Sequence, residues 1–183
     1  MKIVAMVGSV RKDSYNKKLA NFMQDRYKET VEIEQLPIDQ LPFFNEDEEF
    51  SPPAIVKEVK EKILNSDGVL FVTPEYNHSV PGVLKNAIDW LSRVDKVMVK
   101  KPIMIVGASK SLLGTARAQM HLRQILNSPG LSALTLPGNE VFVGVSHDKI
   151  DENGVLTDEP TIQFIDTVID NFINWIENTK TFK

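Results

Sequence analysis

The chain has 183 residues, 42% hydrophobic and 25% charged, which is enough apolar side chain for one compact domain over 1–183 without a second core. A net charge of −4 and a sequence pI near 5.4 argue against nucleic acid as a partner, while the absence of cysteine and three scattered histidines exclude a disulfide framework and argue against a metal cluster. No apolar run reaches transmembrane length and the chain opens almost at once on a strand-like run, so a soluble, cytoplasmic protein with no membrane insertion is expected.

Lys2–Val7 is an apolar run that predicts the first strand. Gly8–Asn16, reading GSVRKDSYN, follows it directly and leads into a helix expected over Asn16–Glu29. Backbone N–H groups at that helix start, the hydroxyls of Ser9 and Ser14, the Asn16 amide and the Arg11 guanidinium suit a phosphate. Neither GxGxxG nor GxxxxGK[ST] is present, which argues against a Rossmann dinucleotide site and a nucleoside-triphosphatase loop. One monophosphate fits better. The competing reading is an N-capped helix with an exposed arginine.

Val31–Leu36 predicts a second strand. The longest irregular stretch, Pro37–Pro53, carries Phe43, Phe44 and the acidic run Glu46–Glu49, and reads as solvated loop or as a rim over a ligand. A helix over Pro53–Asn65 and a strand over Gly68–Thr73 come next. Pro74–Gly82, PEYNHSVPG, then interrupts the pattern with two prolines, a terminal glycine and polar and aromatic side chains between them. Such a segment can hold its N–H groups outward toward a flat ligand, or serve as a plain connector.

Val83, Leu84, Ala87, Ile88 and Leu91 recur at helical spacing in the helix expected over Gly82–Val94, with Lys85, Asn86 and Asp89 on another face. A strand over Pro102–Gly107 leads to a helix over Thr115–Asn127, whose Arg117, His121 and Arg123 form a solvated face or a subunit contact. The fifth strand is expected at Ser132–Leu136 or at Glu140–Val143. Val145–Glu159 reads as a turn-rich connection without chemistry, and a last helix is expected over Glu159–Asn178. Strands alternating with helices predict a parallel sheet covered on both faces.

GSVRKDSYN and PEYNHSVPGVLKNAIDW, with GASKSLLGTARAQMHLRQIL at Gly107–Leu126, resemble the NADPH-dependent FMN reductase family of the flavodoxin-like superfamily. That family includes quinone, azo-dye and chromate reductases. The third segment departs from the commoner form, in which a glycine pair stands where Gly114–Thr115 stands here. The resemblance implies a flavodoxin-like three-layer α/β sandwich with a five-stranded parallel sheet in the order 2-1-3-4-5. It implies an FMN whose phosphate lies against Ser9, Arg11, Ser14 and Asn16, with Tyr15 in the same segment. The ring would lie against Pro74, Glu75, Tyr76, Asn77 and His78, with Ser109 closing the site.

No side chain is expected to act catalytically, because the flavin N5 carries the chemistry; no metal is expected. The co-substrate would be NADPH or NADH, and electrons would pass in a ping-pong cycle to quinones, azo compounds or similar small acceptors. His78 as a proton donor to a reduced quinone competes with an ordinary hydrogen-bonding role. A homodimer or homotetramer is implied. Two other classes stay open on the residues alone: a flavodoxin-type electron carrier and a redox-sensing flavin-binding module.

Overall fold

The computed structural model describes residues 1–181 of the chain. Six parallel strands form one sheet: β1 (Lys2–Val7), β2 (Glu32–Gln35), β3 (Gly68–Val72), β4 (Pro102–Ala108), β5 (Leu134–Thr135) and β6 (Val141–Val143). The order is β2-β1-β3-β4-β5, the flavodoxin-like arrangement. Where one fifth strand is expected, two short segments share the place. β5 pairs with the start of β4 through Pro102↔Leu134, and β6 with its end through Ala108↔Val143. Pro137 and Gly138 lie between them and interrupt the pairing.

Alternate side chains of each central strand enter opposite cores, the period-two consequence of a pleated strand. Ile3, Ala5, Leu70, Val72, Met104 and Val106 pack against α1 (Tyr15–Tyr27) and α6 (Glu159–Thr179). Val4, Met6, Val69, Phe71, Ile103 and Ile105 pack against α2 (Ala54–Leu64), α3 (Gly82–Leu91) and α4 (Ala116–Leu126). β3 and β4 are buried along their whole length, which is why they read as continuous apolar runs. The segment 145–159 holds a four-residue helix, α5 (Ser146–Lys149), and the irregular stretch after β2 holds two single 3-10 turns. Among the described residues, no helix is long and apolar enough to cross a membrane.

Strand register places the loops. Val7 of β1 is level with Val72 of β3, and Val72 with Val106 of β4. The ladder extends one step further through Gly8 N–H to the Val72 carbonyl at 2.9 Å and Thr73 N–H to the Val106 carbonyl at 2.9 Å. The chain therefore leaves β1 and β3 at one height, and β4 runs two residues further before its own loop begins. β1 is also the point at which strand order reverses, the position where open α/β sheets leave a crevice.

Candidate functional site

The loops after β1, β3 and β4 enclose a cavity of about 150 Å3, lined by Ser9, Arg11, Ser14, Tyr15, Asn16, Pro74, Glu75, Tyr76, Ala108 and Ser109. A larger cavity of about 760 Å3 lies along α1, between Lys12, Lys17, Arg26 and the turn at Asn153. It meets only the first of the three loops. Convergence of loops at the crevice, and not volume, marks the site.

Ser14 is the N-cap of α1: its backbone is extended and its hydroxyl accepts the Lys17 N–H at 3.4 Å. On both sides of that cap, the backbone N–H groups of residues 9–16 have no acceptor among the described residues. With the helix start behind them they form a concave donor surface for an anion. Ser9 and Ser14 are buried beside it. Arg11 is half exposed and only loosely engaged, with its guanidinium 3.9 Å from Asp13 and 5.7 Å from the Tyr15 ring centre. Lys18 and Lys110 approach the same ring at 5.5 and 5.8 Å. Positive charge thus gathers on one side of the cavity in a chain of net charge −4.

Asn16 does something other than reach for an anion. Its Nδ2 donates to the Ala108 carbonyl at 2.9 Å and its Oδ1 accepts the Ala108 N–H at 2.9 Å, both buried. The amide so completes the ladder at the end of β4 and locks α1 to it. Gly107, one residue earlier, has no room for a side chain: an added Cβ would overlap Thr115 Oγ1 and the Thr73 carbonyl oxygen.

The loop after β3 is more structured than a plain connector. Tyr76 and Ser79 exchange two backbone hydrogen bonds of 3.0 Å around Asn77 and His78, both left-handed, with φ of 51° and 61°. A two-residue turn of this kind requires positive φ at both central positions, and histidine adopts it only at some cost in strain. The turn carries Asn77 and His78 outward. They are exposed and do not line the cavity, whereas Pro74, Glu75 and Tyr76 do. The Tyr76 N–H is used within the turn itself, so it is not free for a ligand.

Ser109 closes the third side. Its N–H donates to Val143 O at 2.9 Å, and its hydroxyl accepts the Ser111 N–H at 3.0 Å. Ala108 at the end of β4 and Lys110 beyond it complete this side, and residue type alone does not single them out. Their signal is position, since Ala108 ends and Lys110 follows a buried strand adjacent to β3.

A parallel sheet in this order, with open N–H groups after its first strand and a hydrogen-bonded turn after its third, defines a flavodoxin-like flavoprotein. Residues 1–148 match the model of the family described as NADPH-dependent FMN reductase. The chain is 44% identical to NADH-dependent flavin reductase subunit 2 of Lactobacillus johnsonii, over 98% of this chain and 100% of that one. It is 38% identical to a quinone reductase of Escherichia coli K12, over 98% and 97%. The solved structure of FerB, a flavoenzyme NAD(P)H:(acceptor) oxidoreductase from Paracoccus denitrificans, superposes with a TM-score of 0.88 at 35% identity, over 97% of this chain and 98% of that one. The chain belongs to the NADPH-dependent FMN reductase family. It is an oxidoreductase that uses FMN, with NAD(P)H as co-substrate.

Proposed function

We propose that the cleft at the ends of β1, β3 and β4 holds one FMN, and that the protein passes electrons from NADH or NADPH to quinones, azo compounds or related small acceptors in alternating half-reactions. The observation that carries this reading is the set of open N–H groups at residues 9–16, backed by two buried hydroxyls and the loosely held Arg11. Such a donor set matches a dianionic phosphomonoester.

Bound FMN supplies the hydride and electron chemistry. The residues of the chain bind and orient. Residues 9–16 and Arg11 hold the phosphate, Asn16 holds the cradle to β4, and Pro74, Glu75, Tyr76 and Ser109 border the remainder. The cavity of about 150 Å3 is well below the roughly 300–1,000 Å3 of a pocket that encloses a whole ligand. It accounts for one end of the cofactor and leaves the rest open to a second reactant, as alternating half-reactions on one site require. Tyr76, 49% exposed, stands at that open side.

The test is anaerobic mixing of purified, FMN-loaded protein with NADH or NADPH. Loss of the flavin absorbance without any helper protein, and parallel double-reciprocal lines when donor and acceptor are varied together, are expected. A carrier of the flavodoxin type would stay yellow, and a preparation that takes up no FMN would overturn the assignment. A second reading concerns the acceptor. The relative from L. johnsonii is named as a subunit, which favours assembly with a second protein that would take the electrons, and co-purification with rapid electron transfer to that protein distinguishes the two. Association of this chain into a dimer or tetramer is part of the same reading and is checked by light scattering.

A further inference from the structure

Thr115 stands at the N-cap position of α4 but does not cap it. Its hydroxyl faces Gly107 and accepts the Gln119 side-chain N–H at 2.9 Å, so the first free N–H groups of α4 need another acceptor. They find it 42 and 43 residues away: Glu75 Oε2 accepts the N–H of Arg117 at 2.9 Å and of Ala118 at 3.1 Å. These are the second and third residues of the helix, the pair a cap normally serves. The Glu75 side chain is only 13% exposed, and its other oxygen lies 3.5 Å from the Arg117 guanidinium. Four residues on, Ser79 Oγ meets His121 Nδ1 of the same helix at 2.8 Å.

We propose that Glu75 is a positioning residue: it caps α4 across the fold, and by doing so holds the turn that borders the flavin to the helix behind the third loop. The cofactor part of this inference rests on the function proposed above. Two attachments to α4 bracket the strained Asn77–His78 turn, one before it and one after. The turn is therefore held by a regular element in addition to its own Tyr76–Ser79 backbone pair. Because one oxygen receives both N–H groups, the geometry needs an acceptor and not a charge. An amide oxygen at the same place can serve, and a methyl group cannot.

The experiment compares Glu75→Ala, Glu75→Gln and Arg117→Ala with the parent, by FMN fluorescence titration and by amide hydrogen exchange of the apoprotein. In Glu75→Ala, FMN binding weakens about tenfold and the Arg117 and Ala118 amides exchange at least about tenfold faster, the scale of a lost cap. Glu75→Gln restores both to within about threefold, and Arg117→Ala leaves the Ala118 amide as protected as in the parent. Unchanged exchange in Glu75→Ala overturns the cap, and unchanged FMN affinity overturns the positioning role. A Glu75→Gln protein as weak as Glu75→Ala shows that charge matters and overturns the geometric argument. If the parent takes up no FMN, the proposed function and the positioning role fail together, while apoprotein exchange still decides the cap.

Discussion

The two edges of the sheet share strands and polarity but treat their polar groups in opposite ways. At the amino edge, polar groups bind one another. The Lys2 N–H donates to Asp67 Oδ2 at 2.7 Å, the Asp67 N–H to Lys2 O at 2.7 Å, and Lys101 Nζ to Ser66 O at 2.7 Å. Burial there pushes the Lys101 ammonium below its ordinary pKa. At the carboxyl edge a whole run of N–H groups and a guanidinium are left open while hydroxyls lie buried beside them. Residues 10–13 are exposed, so their N–H groups face water, which a bound anion can displace. The open edge leaves donors available to a partner from outside the chain, and the closed edge satisfies its own.

The strongest way to break this contrast is at Gly107, where the loops of the open edge meet. Gly107→Ala forces a methyl group into Thr115 and the Thr73 carbonyl, and is expected to cost about 3 kcal/mol or more, seen as a large fall in melting temperature. Asn16→Ala comes next. It strands both buried backbone groups of Ala108 and is expected to cost roughly 2–4 kcal/mol in urea unfolding, with FMN binding weakened alongside.

Arg11→Ala tests binding without folding. The side chain is 54% exposed, so stability should stay within about 0.5 kcal/mol, while FMN affinity falls about tenfold to a hundredfold by titration. Equal affinity in parent and variant would place the phosphate elsewhere.

The smallest expected effect lies away from both edges, between α1 and α6. Arg26 donates two hydrogen bonds of 2.7 Å to Asp166, and the Tyr27 hydroxyl donates a third of 2.7 Å. The Arg26 hydrogen bonds hold the Asp166 carboxyl below the usual carboxylate range. A depressed folded pKa means that the stabilisation is complete above the unfolded value, about 3.9, and fades as pH falls through the folded one. Asp166→Asn should therefore cost about 1 kcal/mol at neutral pH, limited by solvent screening, and the gap from the parent should narrow below about pH 3 in thermal melts.

Much of this architecture was legible in the residue pattern. The continuous apolar runs at 68–73 and 102–107 read as buried parallel strands, and they are. The helix over α3 follows from Val83, Leu84, Ala87, Ile88 and Leu91, although it stops at Leu91 and not at Val94. The divided fifth position was visible only as two competing candidates, since a two-residue and a three-residue strand are too short for periodicity to register. In the site, residue type pointed to Ser9, Arg11 and Ser14, and they do line one cavity. Direction did not follow from type: Asn16 turns to β4, Glu75 to α4, and Asn77 and His78 to solvent.

Local chemistry was enough to recognise strand, polar turn and helix, because apolar spacing, capping residues and turn residues act over a few positions of chain. Which side chain serves the ligand and which serves the scaffold depended on partners far along it. Ala108 lies 92 residues from Asn16, and Arg117 lies 42 from Glu75. Only the packing of helices on the sheet brings those donors and acceptors within hydrogen-bonding reach, and once there, the need to satisfy buried backbone groups settles where each side chain points.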